Sequence, residues 1–257
     1  MLDILMFLFI VGLGAGTLGS IIGIGGGIII TPVLTLMGFT PAHIASTSLI
    51  AVTSTSASSS IAYSRQKKID YSTALRMVVF SVPGSIIGAF ISNDISLEFF
   101  KLSFAILLML TGIYILFKNS ILKKSDNSNN KPNNSLSLLI CYAGTFIAGI
   151  ISSLFGVGGG IIFVPIMVLI FQMTMAKAAP TSQLILFITS LMGTFAHILL
   201  SNPEYLNALS LAAGAFIGGQ IGAILSNYLK ESMLQKLLSI SLIAVAIKFI
   251  FDVILEP

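Results

Sequence analysis

Gly23-Ile24-Gly25-Gly26-Gly27-Ile28-Ile29-Ile30-Thr31-Pro32 decides the fold, because it recurs as Gly156-Val157-Gly158-Gly159-Gly160-Ile161-Ile162-Phe163-Val164-Pro165. The copies lie 133 residues apart and share glycine spacing, flanking branched apolar residues and proline. Each interrupts a long apolar run. The apolar piece after the first, Ile28 to Phe39, spans only about 18 Å as a helix, short of a hydrocarbon core of roughly 30 Å. Ile161 to Phe171 is its counterpart. Each break therefore predicts a helix that enters the membrane and stops part-way.

Working outward, the 257 residues are 56% apolar and only 9% charged, with mean hydropathy +1.03. Soluble domains carry roughly 25% charged residues, so the composition is that of an integral membrane protein. Met1-Leu2-Asp3 has no positive n-region, and no cleavage site stands clear of the apolar run. The first segment is expected to stay in the protein. Cys141 is the only cysteine, which excludes an intramolecular disulfide and a multi-cysteine metal site. Nothing in the pattern calls for a cofactor, a metal or a nucleic acid; the expected partners are the lipid bilayer and a small anion.

The expected segments are Leu2–Ile24, Ile28–Phe39, Ile44–Tyr63, Ala74–Ser92 and Phe99–Phe117, then Leu136–Phe155, Ile161–Phe171, Thr181–Leu200, Leu206–Asn227 and Met233–Ile254. A polar, Asn-rich and basic stretch separates the sets, giving a first membrane repeat over 1–118, a cytoplasmic linker over 119–135 and a second repeat over 136–257. From Thr40 onward the halves register at an offset of 134: Thr47-Ser48 falls on Thr181-Ser182, Gly88-Ala89 on Gly222-Ala223, and Ser92-Asn93 on Ser226-Asn227. The fold class is thus all-α and polytopic. Each half has a glycine-broken, re-entrant hairpin plus three transmembrane helices, about eight hydrophobic segments, or ten if both hairpin arms are counted.

Lys and Arg gather in cytoplasmic loops. Inverted repeats leave only Lys101 and Lys248 outside, whereas parallel repeats leave two more bases there. The turn Ser201-Asn202-Pro203-Glu204, which holds no base, is then external. Inversion is the expectation. Tyr63, Tyr71, Tyr114, Tyr205 and Tyr228, near segment ends, read as interface markers.

The glycine break explains what such a protein can hold. Irregular backbone at membrane depth survives only inside protein or beside a wet cavity. Gly23, Gly25, Gly26 and Gly27, with Gly156, Gly158, Gly159 and Gly160, permit left-handed backbone and close approach. Helices starting there offer unsatisfied N–H groups and a positive dipole end, an anion site without a charged side chain. Pro32 and Pro165 sit early in the short helices, where a missing N–H is expected to cost little. Interrupted segments at matching positions in two halves point to a transporter's substrate site; tight helix packing through small residues is the competing reading.

The doubled Gly-x-Gly-Gly-Gly-x-x-x-x-Pro block, the hydroxyl-rich segment after it and the basic central linker resemble the TauE/SafE family, also called TSUP, of sulfite-exporter-type permeases. The resemblance covers essentially the whole chain. It implies a transporter of the cytoplasmic membrane associated with sulfite, thiosulfate, sulfoacetate or other organosulfur anions, with the motif glycines and both prolines carried over as the family block.

Around the breaks, Thr47, Ser48, Thr181, Ser182 and Gln183 could donate to an oxyanion or could cap and cross-link helices. Ten hydroxyl residues lie between Ser46 and Ser60; they could line a wet path or allow close packing. His43 and Lys177 correspond under the offset and, as cations at helix starts, oppose the dipole. They could draw an anion inward or sit at the interface, where His197 is also expected. No acidic residue falls clearly mid-membrane, which disfavours a carboxylate proton relay. The sequence-level reading is a secondary transporter for a small, sulfur-containing oxyanion with no catalytic residue. An anion channel, an integral-membrane enzyme and a non-transporting scaffold are the alternatives.

Overall fold

The computed structural model describes residues 2–125, 135–200, 203–228 and 243–251. Residues 126–134 of the expected linker, Ser201 and Asn202, Lys230, Lys236 and most of the last expected segment lie outside the described residues. The helices are α1 (Leu2–Ile22), α2 (Gly27–Leu36), α3 (Pro41–Arg65), α4 (Tyr71–Asp94), α5 (Leu97–Ser125), α6 (Ser135–Phe155), α7 (Gly160–Leu169), α8 (Met175–Leu200) and α9 (Tyr205–Leu225); residues 243–251 are also helical. α5 runs on to Ser125, into the stretch expected as linker. Among the described residues, five helices are long and apolar enough to cross a membrane: α1, α4, α6, α8 and α9.

Both short helices fold back along the helix before them. A Cβ on Gly26 would meet the Ala15 carbonyl at 2.6 Å, and one on Gly159 would meet the Ala148 carbonyl at 2.8 Å. The chain has therefore doubled back about ten residues up α1 and α6, which makes each pair a re-entrant hairpin.

Helix directions show that the repeats are inverted. Phe9, Leu13 and Thr17 of α1 touch Gly214, Gly218 and Gly222 of α9 in rising order, so those helices are parallel. Ser54, Ser58 and Gln66 of α3 bond to the carbonyls of Ala212, Phe216 and Ala223, again in rising order. α4 runs with α6, Gly84 lying on Phe146 and Gly88 on Ile150, and with α8, through Asp70–Thr181 and Ser81–Thr189. α3 opposes α8: its Tyr63 end lies beside Met175 and Pro180, while Leu49 lies beside Gly193. α1, α3 and α4 thus run opposite to their counterparts α6, α8 and α9 in the other half. The halves also interleave, since α4 packs on α6 and α9 on α1.

Glycines set those two interfaces. A Cβ on Gly12, Gly214, Gly218 or Gly222 would come within 2.0–2.3 Å of a backbone oxygen across α1–α9, and one on Gly84, Gly88 or Gly149 within 2.1–2.3 Å across α4–α6. This is small-residue packing at a spacing of four, which lets backbones approach closely in lipid.

α3 is too rich in hydroxyls to stand out by hydropathy, yet it lies in the centre of the bundle. Its polar groups are satisfied mainly by carbonyls. Thr55 and Ser56 bond back to Ala51 and Val52, Ser54 and Ser58 bond to α9, and Thr53 meets Ser190 and Thr194 of α8. Close packing and cross-linking account for most of this stripe; Thr47 Oγ1 and Ser60 Oγ have no hydrogen-bond partner.

Three expectations are corrected. Tyr63 and His197 are not interface residues: both are buried, at 1% exposure. Tyr63 Oη donates to the Ser20 carbonyl at 3.0 Å, and His197 Nε2 lies 2.9 Å from the Ser153 carbonyl. These are equivalent positions of the two repeats. α8 starts at Met175, not near Thr181, because the Thr174 carbonyl already accepts from Lys177 and Ala178; Pro180 is inside the helix. Pro32 and Pro165 are likewise inside α2 and α7. Each is the sixth helical residue, so its missing N–H falls within the hydrogen-bond ladder, opposite the carbonyls of Ile28 and Ile161.

Candidate functional site

The site begins with the backbone of the two breaks. Gly23, Gly25 and Gly26 have φ of 87°, 82° and 84°, and Gly156 and Gly158 have 70° and 73°. Side-chain-bearing residues rarely adopt this region. The copies part at the third glycine: Gly159 has φ −71°. In the first break the N–H groups of Gly23, Ile24 and Gly25 all turn to the Gly19 carbonyl, at 3.0, 2.9 and 3.2 Å. Gln183 Nε2 donates to the same oxygen at 2.8 Å.

The two tips lie against each other. A Cβ on Gly27 would stand 2.5 Å from the Gly156 oxygen and 2.6 Å from Val157 Cα; one on Gly160 would stand 2.5 Å from the Gly23 oxygen and 2.6 Å from Ile24 Cα. Each tip therefore holds the other's backbone with no side chain between them. Across the centre lie Val52 of α3 and Leu186 of α8, equivalent at the offset of 134. Both approach Gly25 and Gly158, at 2.9–3.1 Å from the positions a Cβ would take. They form an apolar cover shared by both breaks.

The predicted serines reach across to the opposite repeat. Ser48 Oγ donates to the Gly156 carbonyl at 2.6 Å and Ser182 Oγ to the Gly23 carbonyl at 2.7 Å. Thr31 Oγ1, which sequence reasoning passed over, donates to the Phe155 carbonyl at 2.9 Å. These oxygens lie at the ends of α1 and α6, where carbonyls lack helical partners. The amide ends differ: neither Gly26 nor Gly159, the residues before α2 and α7, provides a side-chain cap. The centre thus has serine-capped carbonyl ends and amide ends with no side-chain cap.

The other predicted residues are dispersed. Thr181 Oγ1 accepts from the Asp70 N–H at 3.0 Å, at the start of α4. Thr47 Oγ1 and Gln183 Oε1 are buried and have no hydrogen-bond partner. His43 is half-buried and Lys177 exposed, each in the first turn of its helix. Lys177 lies five residues before Ser182, about 7 Å along the axis, toward the start of α8 from the break.

A pocket of about 130 Å³ opens at the end that carries Lys68. Tyr63, Ser226 and Pro180 line it, and it reaches Ile21 and Ala179. Ala179 is the residue against which Gly23 packs, so the pocket stops one layer short of the first break.

The sequence model of the sulfite exporter TauE/SafE family matches residues 8–249. The chain belongs to the TauE/SafE family. It is 31% identical to "Probable membrane transporter protein YunE" of Bacillus subtilis (strain 168), over 96% of this chain and 97% of that protein. A "Probable membrane transporter protein" of Haemophilus influenzae is 25% identical, over 98% and 96% of the two chains. "Probable membrane transporter protein YfcA" of Escherichia coli (strain K12) is 22% identical, over 95% and 89%. No solved structure matches. Family membership and fold together make this a multi-pass membrane protein of a transporter family. The apposed breaks are the TauE/SafE member's own glycine–proline blocks.

Proposed function

We propose that the chain is a permease of the cytoplasmic membrane for a small oxyanion of the sulfite, thiosulfate or sulfoacetate type, bound at the apposed starts of α2 and α7 and moved by alternating access. One observation carries the reading: the carbonyl ends of the central breaks are spent on Ser48, Ser182 and Thr31, while the amide ends lack side-chain caps. Such a centre favours negative charge, through helix dipoles and free N–H groups, over a cation that would need the carbonyls. The sulfur class rests on the family's description.

Val52 and Leu186 lie across both breaks, which favours a carrier with a closed centre over an open channel. In this account Thr47 and Gln183, whose buried oxygens have no hydrogen-bond partner, adjust to the anion, and the pocket beneath Lys68 is its approach from the basic end. Lys177 flanks that approach and His43 the equivalent one on the other face.

Flux into proteoliposomes tests this. Sulfite or thiosulfate on one side should drive exchange of labelled substrate, and chloride or a small cation should not. Equal flux of cations, or no flux of any sulfur oxyanion in either direction, would overturn the proposal.

A further inference from the structure

A second concavity lies on the lipid-facing side, at the same basic end. It is a groove of about 410 Å³ between α3 and α8, with Ala57, Ile61, Leu184 and Phe187 as apolar walls. On α8, Leu184 and Phe187 continue with Leu191 and Phe195, which are 40% and 61% exposed. In a spanning helix that face meets hydrocarbon, so the groove opens into the bilayer.

Its polarity is graded along α3. At the rim are Arg65 and Ser64, with Tyr71 Oη 2.7 Å from Ser64 Oγ. Arg65 is exposed and has no ion pair among the described residues. Five residues deeper, about 7 Å along the axis, comes Ser60. It is 7% exposed, and its Oγ has no hydrogen-bond partner. Beyond it the lining is apolar.

We infer that this groove binds one anionic phospholipid of the leaflet at the basic end, its phosphate on Arg65 and Ser64, its glycerol-ester region beside Ser60 and an acyl chain along Ala57, Leu184 and Phe187. The sequence of cation, buried hydroxyl and apolar wall follows the order of a lipid from headgroup to tail. Anionic headgroups are attracted to basic residues at the cytoplasmic ends of helices, and an aromatic hydroxyl such as Tyr71 settles at headgroup level. The groove is separate from the glycine breaks, and the inference stands whatever the transported solute is.

Native mass spectrometry of the delipidated full-length protein tests it, with phosphatidylglycerol, phosphatidylcholine and glycerol phosphate as probes. The wild-type protein should retain one phosphatidylglycerol in preference to phosphatidylcholine, and no glycerol phosphate. Arg65→Gln should weaken phosphatidylglycerol about fivefold, the equivalent of roughly 1 kcal/mol for one cation near the surface. Ala57→Phe, which fills the groove, should exclude both lipids. If Ala57→Phe does not fold, Arg65→Gln decides. Equal retention of the two lipids, unchanged phosphatidylglycerol binding in Arg65→Gln, or retention of glycerol phosphate in place of lipid would overturn the inference.

Discussion

Replacing Gly27 by Ala tests the contact between the breaks with the smallest available change. Gly27 does not require left-handed backbone, so an added methyl introduces no φ strain. The only new term is steric. The methyl would stand 2.5 Å from the Gly156 oxygen and 2.6 Å from Val157 Cα, where ordinary contact begins at 3.4 Å. The tips must therefore part by nearly an ångström. Both obstructing atoms are backbone, so no rotamer change relieves the clash. Overpacking of this kind costs about 1–3 kcal/mol. Gly160→Ala makes the same clash from the other side, against the Gly23 oxygen and Ile24 Cα. Because either change alone forces the tips apart, the double variant should cost less than the sum of the two. A shortfall of roughly 0.5–3 kcal/mol is the range for coupled neighbours. Thermal unfolding in detergent should show each single variant melting on the order of 5 °C below wild type, and proteoliposome flux should fall at least about tenfold. Wild-type melting and flux in both single variants, or strictly additive losses in the double, would refute the apposed-tip geometry.

Ser48→Ala and Ser182→Ala each remove the donor to a buried carbonyl of the opposite break, and should lower stability by about 1–3 kcal/mol in the same melting assay. Leu186→Ala removes half of the apolar cover. It should cost about 2–5 kcal/mol and raise passive anion leak into vesicles above that of Val52→Ala. On the α1–α9 interface, Gly218→Val drives Cβ to within 2.2 Å of the Leu13 carbonyl and should abolish accumulation of folded protein. Gly14→Ala, which meets nothing within 4 Å, should be neutral or stabilising by up to about 1 kcal/mol; expression and melting distinguish the two. With the buried Cys141 replaced by Ala, a cysteine at the exposed Asn93 should react with an impermeant maleimide from outside whole cells, and one at Lys67 only after permeabilisation.

What could be read from the sequence was what repeats or what is local. Two glycine blocks, each followed by a helix too short to cross, gave the hairpins. The lysines and arginines gave the inverted sense that the helix directions of α3 and α8 bear out. Partner choice could not be read. Ser48 and Ser182 stood out as donors, but their acceptors lie 108 and 159 residues away in the other repeat, and a serine at a helix start carries no mark of its target. Val52 and Leu186 look like ordinary apolar residues; only their equivalence across the repeats hints that they sit together. Tyr63 and His197 misled because a position near a helix end usually means the interface, whereas α1 and α6 stop beside them and leave carbonyls to bond. Gly26 and Gly159 show a further limit. Glycine takes either sign of φ, so identical spacing does not impose identical backbone. The central placement of α3 is invisible to hydropathy because most of its hydroxyls are neutralised by carbonyls of α3, α9 and the second break and by hydroxyls of α8.

Selenite offers the most direct look at the proposed anion site, since it mimics sulfite and scatters anomalously. Crystals soaked in selenite should show one selenium peak at the centre of the bundle, its oxygens within hydrogen-bond distance of the amides of Gly27, Ile28, Gly160 or Ile161. A peak confined to the pocket beneath Lys68, or a protein that transports selenite while the amides at both helix starts remain unoccupied, would contradict the account.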